Sequence, residues 1–196
     1  MGNYTASHSP KIIIICGADN TGKDSLINGL KHYFNKTKVI HAGVPKSNDL
    51  FNYYYNGFIH DTLEGYYNES LDAVIHNRSM YGEYVYGPKY RNESRDNVLN
   101  IIKKLEIGQL KTFICEKDLF FILLTSSNIN LIANNDDGLS LSSNKSDIEE
   151  EIKLFDEIFN LSTIKNKLKV YVNNNDVFKP KEDICKEVID FINSRS

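Results

Sequence analysis

The sequence predicts an α/β fold, a five-stranded parallel sheet with helices on both faces. Three observations lead there. Short apolar runs alternate with amphipathic stretches along most of the chain. The first run, Lys11–Cys16, holds four consecutive isoleucines, the pattern of a strand buried on both faces. A glycine-bounded loop, Gly17–Gly22, then joins that strand directly to a helical pattern. Parallel strands are connected by right-handed crossovers, so this order gives a three-layer sandwich. It reads as a single domain over residues 11–196, after a flexible polar arm at residues 1–10.

The remaining elements follow in order. Lys23–Asn35 carries Leu26, Ile27, Leu30, Tyr33 and Phe34 near helical spacing. Thr37–Ala42 is a second strand, ending in a loop that contains Pro45. Asp49–Glu69 is aromatic-rich and helical, despite Gly57 and Gly65. Leu71–His76 is the third strand. Asn77–Arg91, with Gly82, Gly87 and Pro88, starts as a loop. Ser94–Ile107 places Val98, Ile101, Ile102 and Leu105 on one helical face and stops at Gly108. Leu119–Thr125 is the fourth strand. Residues 134–146 are polar and glycine-containing, a short mobile lid. A helix opening at Ser146-Asp147 runs through Phe159, with acid in its first turn as the helix dipole favours. Leu168–Val172 is the fifth strand, and Pro180 opens a last helix.

Composition narrows the function classes. The chain has 196 residues, a formal net charge of −3, and no Lys/Arg-rich stripe, which excludes a polyanion-coating protein and direct nucleic-acid binding. The longest apolar runs are too short to cross a bilayer. Residues 1–10 lack an apolar signal core, so the expected compartment is the cytoplasm, or host cytoplasm for a virus-encoded protein. The Asn-, Ile- and Lys-rich, Trp-free composition fits AT-rich coding, as in some viruses and bacteria. The three cysteines are widely spaced and read as small buried hydrophobes. The five histidines show no metal-ligand spacing.

The strongest chemical signal is Gly17-Ala-Asp-Asn-Thr-Gly22-Lys23-Asp24-Ser25, a G-x4-G-K loop between a buried strand and a helix. Glycines let successive amide N–H groups of Gly17, Asn20, Thr21 and Gly22 turn inward on one anion. The helix N-terminus adds partial positive charge, and Lys23 supplies a full one for the β- and γ-phosphates of a nucleotide. A hydroxyl residue normally follows the lysine and reaches Mg²⁺; here it is Asp24, then Ser25. A carboxylate is a harder magnesium ligand than a hydroxyl. Asp24 and Ser25 are therefore candidate metal residues, the alternative for Asp24 being to cap backbone amides. Asp19 is an acid inside a phosphate loop. It either accepts a hydrogen bond from a sugar hydroxyl or simply forms the turn.

Arginine is scarce. Three of the four, Arg78, Arg91 and Arg95, fall in or just beyond the segment that follows the third strand. Ligands of open parallel sheets bind at that carboxyl edge, and guanidinium is the planar clamp for phosphate. The cluster suggests a second anion site.

The Asp19 loop together with Arg78, Gly82, Glu83, Val85, Tyr86, Tyr90 and Arg91 resembles the thymidylate kinase family, particularly its short phage-type members, within the P-loop kinase superfamily. Asp137-Gly138-x-Ser140, before a helix with Glu151 and Phe155, is similar too. The resemblance implies transfer of the ATP γ-phosphoryl group to a deoxynucleoside monophosphate, dTMP or dUMP-like, with Mg²⁺ as cofactor. It implies that Arg78 holds the acceptor phosphate, Asp19 the deoxyribose 3′-hydroxyl, and Lys23 and the loop amides the donor phosphates. Tyr86 belongs to the same motif and to the implied substrate site. Among the aromatics of the second helix, Tyr54 and Phe58 are candidates to stack on the base; the alternative is core. A homodimer is the family expectation. Two departures stand out. The acid before the family's arginine is Asn77, and the lid lacks arginine, so Arg91 or Arg95 would have to supply the catalytic charge.

A nucleoside 5′-hydroxyl acceptor benefits from a carboxylate base, whereas a phosphate acceptor is already ionised. The second strand ends His41-Ala-Gly-Val-Pro-Lys46 without an acid, and Asp19 sits in the loop. Nucleoside kinases similar to this fold carry that acid at the end of the second strand and usually lack one in the loop, so the resemblance favours a monophosphate kinase over a deoxynucleoside kinase; Asn77 and the arginine-poor lid keep a nucleotide-binding protein with little catalysis as the other alternative.

Overall fold

The computed structural model describes residues 9–46, 49–134 and 144–195. Its strands are β1 (Lys11–Cys16), β2 (Thr37–His41), β3 (Ala73–Asn77), β4 (Leu119–Thr125) and β5 (Asn166–Tyr171). They form one sheet in the order β2-β3-β1-β4-β5, with every pairing parallel. The central strand explains its own sequence. Ile12, Ile14 and Cys16 enter the apolar cluster on one face, and Ile13 and Ile15 the cluster on the other. The period-2 alternation of side chains therefore calls for an apolar residue at each position from Ile12 to Cys16.

Two helical layers cover the sheet. One contains α1 (Lys23–Tyr33) and α9 (Lys181–Asn193), which bury Leu26, Leu30, Val188 and Ile192 against the sheet. The other begins with α2 (Leu50–Tyr54), which passes through a π-helical turn at Tyr55–Ile59 into α3 (His60–Tyr66). It continues with α4 (Met80–Tyr90) and α5 (Arg95–Leu105), the latter extended by a π-turn at Glu106–Leu110 and the short α6 (Lys111–Phe113). After α7 (Ile129–Asn134), the long α8 (Lys145–Leu161) packs Leu154, Phe155 and Ile158 on this second face. A small hairpin, β6 (Asn173–Asn174) with β7 (Val177–Phe178), follows β5. Among the described residues no helix is long and apolar enough to cross a membrane.

Three expectations need correction. The segment after β3 is helix almost at once: Ser79 caps α4 by accepting from the Tyr81 amide, and Pro88 lies inside the helix. Local turn propensity loses here to packing, because Met80, Tyr81, Tyr84, Val85 and Tyr86 are all buried. Gly108 does not stop the next helix. The π-turn carries the chain past it and sets Glu106 in the core, where it accepts from Tyr81 Oη, Ser162 Oγ and the Thr163 amide and hydroxyl. The helix after the lid starts one residue earlier than Ser146, on an Asn144 cap that accepts from the Asp147 amide. Residues 1–8 of the arm and 135–143 of the lid, including Asp137, Gly138 and Ser140, lie outside the described residues.

His76, in β3, is fully buried, with Nε2 2.9 Å from Thr62 Oγ1. Burial pulls its pKa down to about 3 from an ordinary 6.5. Between those values the unfolded chain takes up a proton that the folded chain refuses. Stability therefore falls as pH falls through this window, by up to about 1.4 kcal/mol per pH unit. Thermal melts from pH 7 to about pH 4.5 should show a steeper loss for wild type than for His76→Gln; coincident slopes would refute this.

Candidate functional site

The loop between β1 and α1 is built by backbone geometry. Gly17 has φ +148°, and a Cβ there would stand 2.3 Å from the Leu124 carbonyl oxygen. Gly22 has φ +82° and Asn20 φ +62°, left-handed conformations that suit glycine and asparagine. Thr21 Oγ1 donates to the Ala18 carbonyl at 2.8 Å and ties the turn. Lys23 is buried, and its Nζ donates to the carbonyls of Gly17 (2.9 Å) and Ala18 (2.7 Å), inside the ring the loop encloses. Burial pulls the ammonium down to about 8, opposed by the Asp19 charge.

Asp19 is where the two anion-site candidates meet. Its Oδ1 lies 2.7 Å from Arg78 Nη2 and 3.8 Å from Lys23 Nζ. Arg78 reaches it from the end of β3 through a left-handed backbone, φ +64°, anchored by its amide on the Ile15 carbonyl at 3.3 Å. A non-glycine residue in that region is uncommon and marks a conformation the surroundings impose.

Behind this pair opens a cavity of ≈ 180 Å³. Cys16, Gly17, Arg78 and Ser79 line its floor, and Ala42–Pro45 after β2 form one wall. Tyr54 lines it from α2, Tyr86 and Glu83 from α4, and Phe155 from α8. Glu83 is fully engaged: Arg91 donates to it through Nε (2.8 Å) and Nη2 (2.7 Å), and Tyr54 Oη at 2.9 Å. Gly87 leaves the room, since a Cβ there would meet Glu83 Oε1 at 2.5 Å. Burial, and after it the neighbouring Glu83 carboxylate, push the Tyr54 phenol far above its usual range, so it stays a donor. Tyr86 lies edge-on to Phe155, ring centroids 5.8 Å apart. Cys16 is pushed up to about 12 by burial, which keeps its thiol protonated and inert.

A second cavity, ≈ 170 Å³, lies on the other side of the loop. Asn20, Thr21, Gly22 and Ser25 line it on the loop side, and Phe178 and Lys179 from the hairpin after β5.

The structure thus joins most residues the sequence singled out and separates others. Tyr54, Arg78, Tyr86 and Arg91 share the first cavity with Gly17. Phe58 does not line it. The π-turn rotates Phe58 into the core, 4.3 Å from the His76 ring. Arg95 lines neither cavity; its guanidinium lies 5.6 Å from the Tyr84 ring. Ser25 and Asp24, paired in the sequence as metal residues, point apart as successive helical positions must. Ser25 faces the second cavity, while Asp24 Oδ1 accepts from Asn77 Nδ2 at 2.6 Å. Glu83, Phe178 and Lys179 are site-lining residues that sequence reasoning gave no role. Glu83 was visible within the α4 motif, whereas the two hairpin residues carry no local signal.

Among the described residues no three His, Cys, Asp or Glu side chains gather around one point. Mg²⁺ commonly takes one or two carboxylates and completes its shell with phosphate and water. Asp24, exposed beside a buried Asn77 whose Oδ1 has no partner, fits that need.

No protein family model and no curated protein sequence matches the chain. Solved structures do. The YorR protein of Bacillus subtilis, determined in complex with phosphorylated GDP, aligns with 93% of this chain and 96% of its own at 15% identity and a TM-score of 0.63. The thymidylate kinase of Candida albicans aligns with 95% and 92% at 15% identity and TM-score 0.58. The fold is that of the P-loop nucleotide kinases. A deoxyadenosine kinase of M. mycoides, solved with dCMP and dCDP, aligns with 93% and 99% at 13% identity and TM-score 0.54. The α/β class and five-stranded parallel sheet expected from the sequence are those of this P-loop kinase fold.

Proposed function

We propose that the protein is an ATP-dependent nucleoside monophosphate kinase acting on a deoxynucleotide of the dTMP or dUMP kind. One observation supports this most: Lys23 and Arg78 flank the single carboxylate of Asp19, at 3.8 and 2.7 Å. Two cationic groups so placed, one in a phosphate loop and one at the floor of a cavity, suit two phosphates approaching end to end.

In this reading the loop amides and Lys23 hold the β- and γ-phosphates of ATP, and the second cavity takes the rest of the donor. The acceptor lies in the first cavity, its phosphate on Arg78 and its sugar hydroxyl on Asp19. Tyr54, Tyr86 and Phe155 enclose the base, and the Glu83-held Arg91 sets one wall. An acceptor phosphate oxygen attacks the γ-phosphorus in line, the bond to the β–γ bridging oxygen breaks, and ADP leaves. Asp24 would hold Mg²⁺, which when bound offsets charge on the donor phosphates. Arg91 is the catalytic-charge candidate that shares the cavity with Arg78, so it replaces Arg95 in this reading. The carboxylates named in the acceptor site, Asp19 and Glu83, are both ion-paired to arginine, which argues against a base for a nucleoside hydroxyl.

The test is ADP formation from ATP and Mg²⁺ with each deoxynucleoside and each monophosphate. Turnover with monophosphates is the expected result. Turnover with nucleosides alone, or tight nucleotide binding without turnover, would contradict it.

A further inference from the structure

Two positions depart from the patterns described above, Asp24 where a hydroxyl residue follows the phosphate-loop lysine and Asn77 where an acid precedes the arginine. They lie 53 residues apart in the chain, and the fold brings them into contact at 2.6 Å. Asn77 is held rigidly: it ends β3, pairs with Ile15 of β1, and its carbonyl accepts from the Ala42 amide at 3.3 Å. It is only 7% exposed. A carboxylate can only accept, so Asp24 dictates which end of the amide faces it. The Nδ2 turns to Asp24, and Oδ1 is left buried with no partner.

We infer that Asp24 and Asn77 work as one exchanged pair, with the site's carboxylate carried on α1 and oriented by an amide on β3, and that together they take the divalent cation of the bound nucleotide. This rests on the nucleotide reading of the loop. Asp24 is the ligand, directly or through water. Asn77 is a positioning residue: its N–H fixes the Asp24 rotamer. Each residue suits only the other. Aspartate at 77 would set two carboxylates against each other, and serine at 24 would take away the carboxylate that Asn77 Nδ2 orients.

The experiment is calorimetric titration of ADP in EDTA and in Mg²⁺, read as the ratio of the two affinities. Wild type should bind more tightly with Mg²⁺. Asp24→Ser and Asn77→Asp should each shrink that ratio by about tenfold or more, the scale of orienting groups around a metal. The double variant Asp24→Ser/Asn77→Asp should recover most of it. A general structural loss would lower both affinities and leave the ratio unmoved, and the double variant would not rescue it. An undiminished ratio in Asp24→Ser, or a double variant no better than the poorer single one, overturns the proposal. Failure of wild type to bind ADP in either buffer overturns the nucleotide reading itself, and the pair's role with it.

Discussion

Replacing Lys23 with alanine should lower phosphoryl transfer by about 10³-fold or more, measured as ADP release at saturating ATP and acceptor. The magnitude follows from the place of the charge. The ammonium sits inside the loop, buried, on the carbonyls of Gly17 and Ala18. Charge stabilisation there acts in a low-dielectric pocket, where a single donor is worth about 10²–10³ in rate and a cation on the transferring phosphate up to about 10⁵. Arginine should not rescue: the site encloses a narrow side chain, and a guanidinium would have to displace the loop itself. A variant that retained a tenth of wild-type turnover would place the donor phosphates elsewhere.

Arg78→Ala should act on the acceptor side. The expected result is a rise of about 10²-fold in acceptor KM with the ATP KM nearly unchanged. Loss of two charge-assisted hydrogen bonds of about 1.5–3 kcal/mol each sets the scale. Lysine should recover only part, since it lacks the planar fork. The left-handed backbone at this position, φ +64°, belongs to the chain path out of β3, and alanine and lysine, like arginine, carry a Cβ there. They should therefore fold, and a thermal melt close to wild type would confirm that the kinetic change is local. Acceptor kinetics unmoved by Arg78→Ala would remove the second phosphate site.

The β1–α1 loop was legible because its geometry is local. Gly17 and Gly22 are set by backbone angles and Lys23 by the loop carbonyls it bonds, and both leave marks in consecutive residues. The strands were legible for a similar reason. β1 and β4 are buried along their whole length, so hydrophobicity alone delimits them. What stayed hidden depends on long-range contact. Nothing near Pro88 says that α4 continues through it; the buried tyrosines and the Glu83–Arg91 pair that hold the helix together become visible only in three dimensions. Phe58 carries an aromatic side chain at helical spacing, yet the π-turn at Tyr55–Ile59 shifts the register and sends it to the core instead of the cavity. Arg95 looked equivalent to Arg91 by composition, and the turn of α5 separates them. Asp24 and Asn77 are each legible as a departure in the sequence; that they touch, at 2.6 Å, is not. The hairpin that brings Phe178 and Lys179 to the loop has two residues per strand, too few for any periodicity.

The claim beneath all of this is that two phosphate groups meet between Lys23 and Arg78. A crystal structure with an adenosine–deoxynucleoside pentaphosphate tests it most directly. The account predicts donor phosphates ringed by the amides of residues 17–23, the acceptor-side phosphate on the Arg78 guanidinium, and the acceptor nucleoside among Tyr54, Tyr86 and Phe155. Donor phosphates in the loop, with the other end outside the cavity and Arg78 still bound to Asp19, would contradict it.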